Sequence, residues 1–187
     1  MLLIPDFELD SWNAWIFTLP LIVLQILGAK ILGKRGSGED WGHTEKKKIL
    51  NITGSSIVFA SYAYTMFLPF KLGTIWFYAG LLVYLLGMLV EILAMLSFYT
   101  TPVDKPVTKG VYSISRNPMY VGHFLTNISI ACLSWIFLLV TIALVILEHN
   151  SVASEERACL PKYGNTYREY MNRTPRWIGI PKSRKEH

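Results

Sequence analysis

The sequence predicts an all-α integral membrane protein of about five transmembrane helices, with a helical hairpin before a polar C-terminal site. Three observations predict it. Of the 187 residues, 52% are hydrophobic and only 17% charged, against about a quarter charged in an ordinary soluble domain. The mean hydropathy is +0.34. Apolar runs of around twenty residues recur through most of the chain, and each is long enough to cross about 30 Å of hydrocarbon as a helix. A soluble enzyme is excluded, and so is a transmembrane barrel, whose strands would alternate. Residues 1–187 read as a single membrane domain without internal repeats.

The first span is expected at 12–32. The acidic stretch before it, with Asp6, Glu8 and Asp10, lacks the basic region of a cleaved signal peptide, so this span is read as retained. The polar loop that follows, 33–48, holds Lys34, Arg35 and Lys46 to Lys48 and should be cytoplasmic. The second span, 49–68, ends at Pro69. A turn through Lys71 and Gly73 leads to the third span, 74–99, on which Gly80, Gly87 and Ala94 recur every seventh residue. That small-residue stripe allows another helix to approach closely. A connection at 100–117 follows, in which Pro102 and Pro106 prevent a continuous helix.

From Met119 to Leu147 the chain is apolar for 29 residues, about 43 Å at helical rise, too long for one untilted crossing and too short for two full ones. Charge distribution favours a fold-back near Leu133 to Trp135, giving a short fourth span, 118–132, and a fifth, 135–157. The basic C-terminal tail is then cytoplasmic, and of the 18 Lys and Arg residues only Lys71 faces outward. Pro161 is expected to end the fifth helix, and a short polar helix, Asn165 to Met171, to follow it.

The fold-back brings 100–117 and 155–180 to the same membrane face. In the first segment, Asn117 suits a helix N-cap and Pro118 the first helical position. In the second, Glu155 and Glu156 are expected within a turn or two of a helix C-terminus, where the dipole disfavours carboxylates. They are either a solvated helix end or a wall for a bound cation. Glu148 shares a helix face with Glu155. Glu91 is an intramembrane carboxylate about 12 Å from the end of its helix, and is either functional or paired with another span. His123 and Asn127, one helical turn apart, read as an interhelical hydrogen-bond pair or a base. The cysteines Cys132 and Cys159 have neither disulfide nor metal-ligand spacing, and no metal site is expected. No nucleic-acid-binding module accounts for the net charge of +5.

Val107-Thr108-Lys109-Gly110-Val111-Tyr112, then Arg116-Asn117-Pro118-Met119-Tyr120 and Gly122, then Glu155-Glu156 with Leu160, Tyr163-Gly164, Tyr167, Tyr170 and Arg173 to Arg176 together resemble the signature of the isoprenylcysteine carboxyl methyltransferase and phospholipid methyltransferase superfamily. The resemblance covers about 75 residues. It implies an integral membrane enzyme with a helical hairpin before the Glu-Glu pair. The implied methyl donor is S-adenosylmethionine, bound by Val107, Gly110, Tyr112, Arg116, Asn117, Pro118, Met119, Tyr120, Glu155 and Glu156. Carboxylates and aromatic faces suit its ammonium and sulfonium, and Arg116 or nearby backbone N–H groups suit its carboxylate.

The acceptor implied is lipophilic: a prenylcysteine-like or other carboxylate, a phospholipid amine, or a small hydrophobic thiol or phenol. Asn-Pro-Met-Tyr at Asn117 to Tyr120 resembles the phospholipid branch, because the carboxyl methyltransferases usually have His where this chain has Asn117. Arg173 or Arg176 is expected to hold an anionic part of the acceptor. An ammonium acceptor must first lose a proton, for which Glu91, His123, Glu148 or a tyrosine is the candidate base. Two rival readings are a sterol-reductase-like oxidoreductase using NADPH, suggested by a related Arg-x-Pro-x-Tyr-x-Gly run, and a non-enzymatic membrane scaffold. The short chain and the intact Glu-Glu pair argue against the first, and the clustered polar motifs against the second.

Overall fold

The computed structural model describes residues 13–34, 45–70, 72–132 and 135–180. Among these the chain is all-helical. It forms α1 (Trp15–Lys34), α2 (Glu45–Thr65), α3 (Ile75–Thr100), α4 (Pro118–Ala131) and α5 (Trp135–Arg173), with one 3-10 turn at Gly110–Ser113. Two of the helices, α3 and α5, are long and apolar enough to cross a membrane by themselves, while the apolar stretch of α1 is the shorter Trp15–Gly28. With 14 residues, α4 extends only about 21 Å, and α2 takes up residues 45–48 that the sequence suggested for a loop. Five helices are therefore present, and two of them have the length and composition of independent spans. Arg35, Lys71, Lys182, Arg184 and Lys185, which bear on orientation, lie outside the described residues, as do Trp12, the acidic stretch before it and the proposed turn at Leu133.

The start of α1 is pinned to the turn between α2 and α3. Ala14 N–H donates to the Leu68 carbonyl at 2.8 Å, and Asn13 Nδ2 donates to the Met66 carbonyl at 2.8 Å. Deeper in, Gln25 Nε2 donates to Tyr62 Oη and Tyr84 Oη to the Phe17 carbonyl. These bonds satisfy polar groups that hydrocarbon would leave stranded. Leu21, Tyr62, Tyr84, Ile130 and Phe137 form the principal core. Large exposed side chains such as Leu82, Leu85, Leu139 and Ile146 face outward, as expected of surfaces that meet lipid.

The small-residue stripe on α3 is the seam against α4. A Cβ added to Gly87 would lie 2.8 Å from Thr126 Cγ2 and 2.9 Å from the Gly122 carbonyl oxygen, and one added to Gly80 would lie 3.0 Å from the Ser129 oxygen. Ala94, fully buried, ends the stripe against Val107 and Tyr112. The apolar segment from Met119 does fold back: α4 and α5 run antiparallel, so that Tyr120 meets Glu155 and His123 meets Glu148.

Two expectations about α5 are corrected. Pro161 lies within the helix, and the break comes at Gly164, whose φ of 58° and ψ of −135° interrupt the helical path. A proline only disfavours helix at the residue before it, whereas a left-handed φ redirects the chain, and glycine adopts one without a Cβ clash. Glu155 and Glu156 are consequently more than two turns inside the helix, so their environment is set by side-chain partners and not by a helix end.

Candidate active site

The polar ends of α3, α4 and α5 enclose the segment 101–117 and the tail after Arg173. Tyr170, beyond the Gly164 break and outside the membrane-spanning part of α5, donates its hydroxyl to the Tyr112 carbonyl at 2.7 Å and lies 3.4 Å from that of Ser115. Burial pushes its phenol well above the usual range, which keeps the hydroxyl a donor. Arg116 N–H donates to the Pro175 carbonyl at 3.0 Å, and Ser115 Oγ donates to the Arg176 carbonyl at 3.3 Å. His149 and Trp177 stack with centroids 6.0 Å apart. The tail is thus laid across the start of α4.

Glu156 is the hub of this assembly, and only 3% of its side chain is exposed. Arg176 donates to its Oε2 through Nε at 3.0 Å and Nη2 at 2.7 Å. Arg116 Nε lies 3.3 Å from its Oε1, and Asn117 Nδ2 donates to the same oxygen at 3.0 Å. Asn117 occupies the N-cap position but makes no side-chain capping bond. Its amide is turned instead to Glu156 and to the Arg176 carbonyl, while its backbone N–H is taken by Ser115 Oγ. A residue suited to capping has been redirected to the ion cluster, and Pro118, which has no N–H to cap, starts the helix.

Glu155 points elsewhere, as adjacent helical residues must, about 100° apart. Tyr120 Oη donates to its Oε1 at 2.6 Å, and its second oxygen bonds nothing among the described residues. One to two turns deeper, His123 Nδ1 is 2.6 Å from Glu148 Oε1. Asn127 does not pair with the His123 ring. Its Nδ2 bonds the His123 carbonyl within α4 at 2.8 Å, so His123 alone reaches across to another helix. Glu91, buried on α3, accepts from Thr126 Oγ1 at 3.3 Å. A Cβ on Gly122 would stand 2.5 Å from its Cγ.

The sequence-derived site residues therefore divide. Arg116, Asn117, Glu156 and Arg176 meet directly, and Tyr120 meets Glu155. Val107 and Tyr112 pack with Ala94 in a core, with Met119 against it. Pro118 is fully buried, and Gly110, with φ 63°, forms the turn beside Ser97. Glu91 lies apart from the Glu155 and Glu156 cluster, and Arg173 is exposed at the end of α5. The sequence marked Tyr170 only within the family signature and gave Ser115 no role, although the two fasten the tail. Among the described residues no group of three His, Cys, Asp or Glu side chains is arranged to hold a metal.

No curated protein matches this chain. Residues 72–166 match the phospholipid methyltransferase family, an interval that begins just ahead of α3 and includes the hairpin and both glutamates. With just over half of its length within that match, the chain belongs to the phospholipid methyltransferase family.

Proposed function

We propose that the protein transfers a methyl group from S-adenosylmethionine to the amine of a membrane phospholipid at the cytoplasmic face of a multi-pass membrane domain. The observation that carries this reading is the division of labour between the two adjacent glutamates. Glu156 is neutralised by Arg116 and Arg176, whereas Glu155 has only the neutral Tyr120 hydroxyl on one oxygen and no basic partner among the described residues, which leaves its second oxygen open to a bound cation.

The donor chemistry fits that arrangement. Glu155 and Tyr120 would hold the ammonium end, with Met119 and the 107–112 segment beside them, and the exposed Arg173 is available to an anionic group. When bound, S-adenosylmethionine supplies an electrophilic methyl group on a sulfonium. The protein's own contribution is alignment and exclusion of water. Arg116, Asn117 and Arg176 keep the tail over the site by holding Glu156. The phospholipid acceptor is preferred to a prenylcysteine by the family and by Asn117.

Calorimetry on the purified protein with S-adenosylhomocysteine and, separately, NADPH tests the reading. Binding of the first and not the second is expected. NADPH binding alone would favour the reductase reading, and binding of neither a scaffold. Methyl transfer to phosphatidylethanolamine in vesicles, against a prenylcysteine analogue, tests the acceptor.

A further inference from the structure

His123 is the buried group for which the donor site described above has no use. Its ring reaches from α4 to α5, with Nδ1 2.6 Å from Glu148 Oε1. The other ring nitrogen, Nε2, is buried and has no hydrogen-bond partner among the described residues. A pair that merely clipped two helices together would gain nothing from leaving that nitrogen stranded, since an unpaired buried polar atom costs free energy. A carboxylate on Nδ1–H fixes the tautomer that leaves Nε2 with its lone pair. The ring as a whole is 18% exposed and Glu148 17%, so the pair lies near the protein surface although Nε2 itself is enclosed. An apolar groove of about 240 Å³, bordered by Phe124, Ile128, Thr141, Ile142, Val145 and Ile146, opens immediately deeper along the same two helices.

We propose that His123 Nε2 is the base that removes a proton from the acceptor's ammonium group, with Glu148 as its positioning residue. This rests on the phospholipid-amine reading. An ammonium nitrogen has no lone pair and cannot attack a methyl group. Transfer of one N–H proton to Nε2 leaves the electron pair on the acceptor nitrogen and converts the imidazole to imidazolium, whose charge Glu148 faces. The proton is released to water before the next turnover. The other ionisable groups around the pair are Glu91 from α3, Glu155 further along α5, Tyr120 on α4 itself, and Tyr62 from α2, which the fields of Glu91 and Glu148 reach. Glu91 bonds Thr126 and Glu155 bonds Tyr120, so neither is placed on Nε2.

The test uses the full-length protein in phosphatidylcholine vesicles containing phosphatidylethanolamine, with methyl-labelled S-adenosylmethionine, measured across pH. In the parent, kcat/KM should fall on the acid side as His123 takes up a proton. His123→Asn retains a donor for Glu148 and removes Nε2. It should lower the rate at pH 7 by about 10²-fold or more and then recover about tenfold per pH unit, as bulk solvent replaces the base. Its affinity for S-adenosylhomocysteine should be unchanged. Glu148→Gln should displace the acid limb to lower pH, because the imidazolium has lost its counter-charge. A loss in His123→Asn that is uniform across pH, or no loss, would overturn the proposal. If His123→Asn does not fold, an unmoved acid limb in Glu148→Gln overturns it. A parent that binds S-adenosylhomocysteine but leaves the amine unmethylated refutes the acceptor reading and this inference while sparing the donor site, and a parent that binds no donor refutes all three.

Discussion

At the residue scale, two neighbouring glutamates of the same chemistry should respond differently to the same substitution. Glu155→Gln keeps an oxygen for the Tyr120 hydroxyl and should fold, but it removes the charge proposed to face the donor. Its affinity for S-adenosylhomocysteine should fall roughly ten- to a hundred-fold, the equivalent of about 1.5 to 3 kcal/mol. Glu156→Gln leaves Arg116 and Arg176 facing a neutral amide in a site where Glu156 is nearly inaccessible. Breaking a buried pair from one side costs about 3 to 5 kcal/mol, so this variant should show mainly a loss of thermal stability. Calorimetry and thermal unfolding on both variants check the pair, and equal effects would mean that the division of roles is mistaken. The two arginines follow the same logic. Arg176→Gln should destabilise through Glu156, while the exposed Arg173→Gln should leave unfolding unchanged and raise the acceptor's KM if it holds an anionic headgroup.

At the scale of elements, the seam between α3 and α4 controls where Glu91, Thr126 and the start of α4 stand. A Cβ at Gly122 would meet Glu91 Cγ at 2.5 Å, the Gly87 carbonyl oxygen at 2.9 Å and Glu91 N at 3.0 Å. Two of those atoms are backbone and cannot step aside. Gly122→Ala should therefore push the helices apart, at about 1 to 3 kcal/mol for an overpacked contact, and should lower both thermal stability and methyl transfer. Gly73→Ala, where no atom lies within 4 Å, is a control away from the seam, subject only to its own φ of 78°. The seam was legible in the sequence because Gly80, Gly87 and Ala94 recur at a helical period, and the hairpin was legible because 29 apolar residues fit neither one crossing nor two. The helix end at Gly164 was not. Propensity weights the proline, whereas the observed break depends on a φ that only the folded path reveals. The ion cluster was half legible. Asn117, Glu156 and Arg176 were each marked, but their meeting depends on the tail crossing α4, which Tyr170 and Ser115 secure through bonds between residues 55 to 61 positions apart. The Tyr120 and His123 rungs were concealed for a related reason: each is visible only when the i, i+3 face of α4 is laid antiparallel on the i, i+7 face of α5.

For the molecule as a whole, the decisive question is which side of the membrane the site occupies. The contacts fix the site's composition without reference to a bilayer. The end of α3, the beginning of α4 and the tail beyond α5 are joined through Tyr170 to Tyr112 and Arg116 to Pro175, so these three ends share one face. That face carries Lys105, Lys109, Arg116, Lys162, Arg168 and Arg173 among the described residues, while the sequence of the turn between α2 and α3, 66–74, has Lys71 as its single basic residue. Acidic residues on the same face, Asp104 and Glu169 among them, do not offset this, because orientation follows lysine and arginine and not net charge. The site should therefore face the cytoplasm, where a soluble methyl donor is available to it. Asn172 is exposed close to the site and makes a suitable reporter. With Cys132 and Cys159 replaced by serine, Asn172→Cys in sealed, oriented vesicles should react with an impermeant maleimide applied to the cytoplasmic side and not to the opposite side. Labelling from the opposite side alone would invert the whole assembly, because the hydrogen bonds that tie the tail to α4 carry every site residue with it, and the cytoplasmic placement of the reaction would fall.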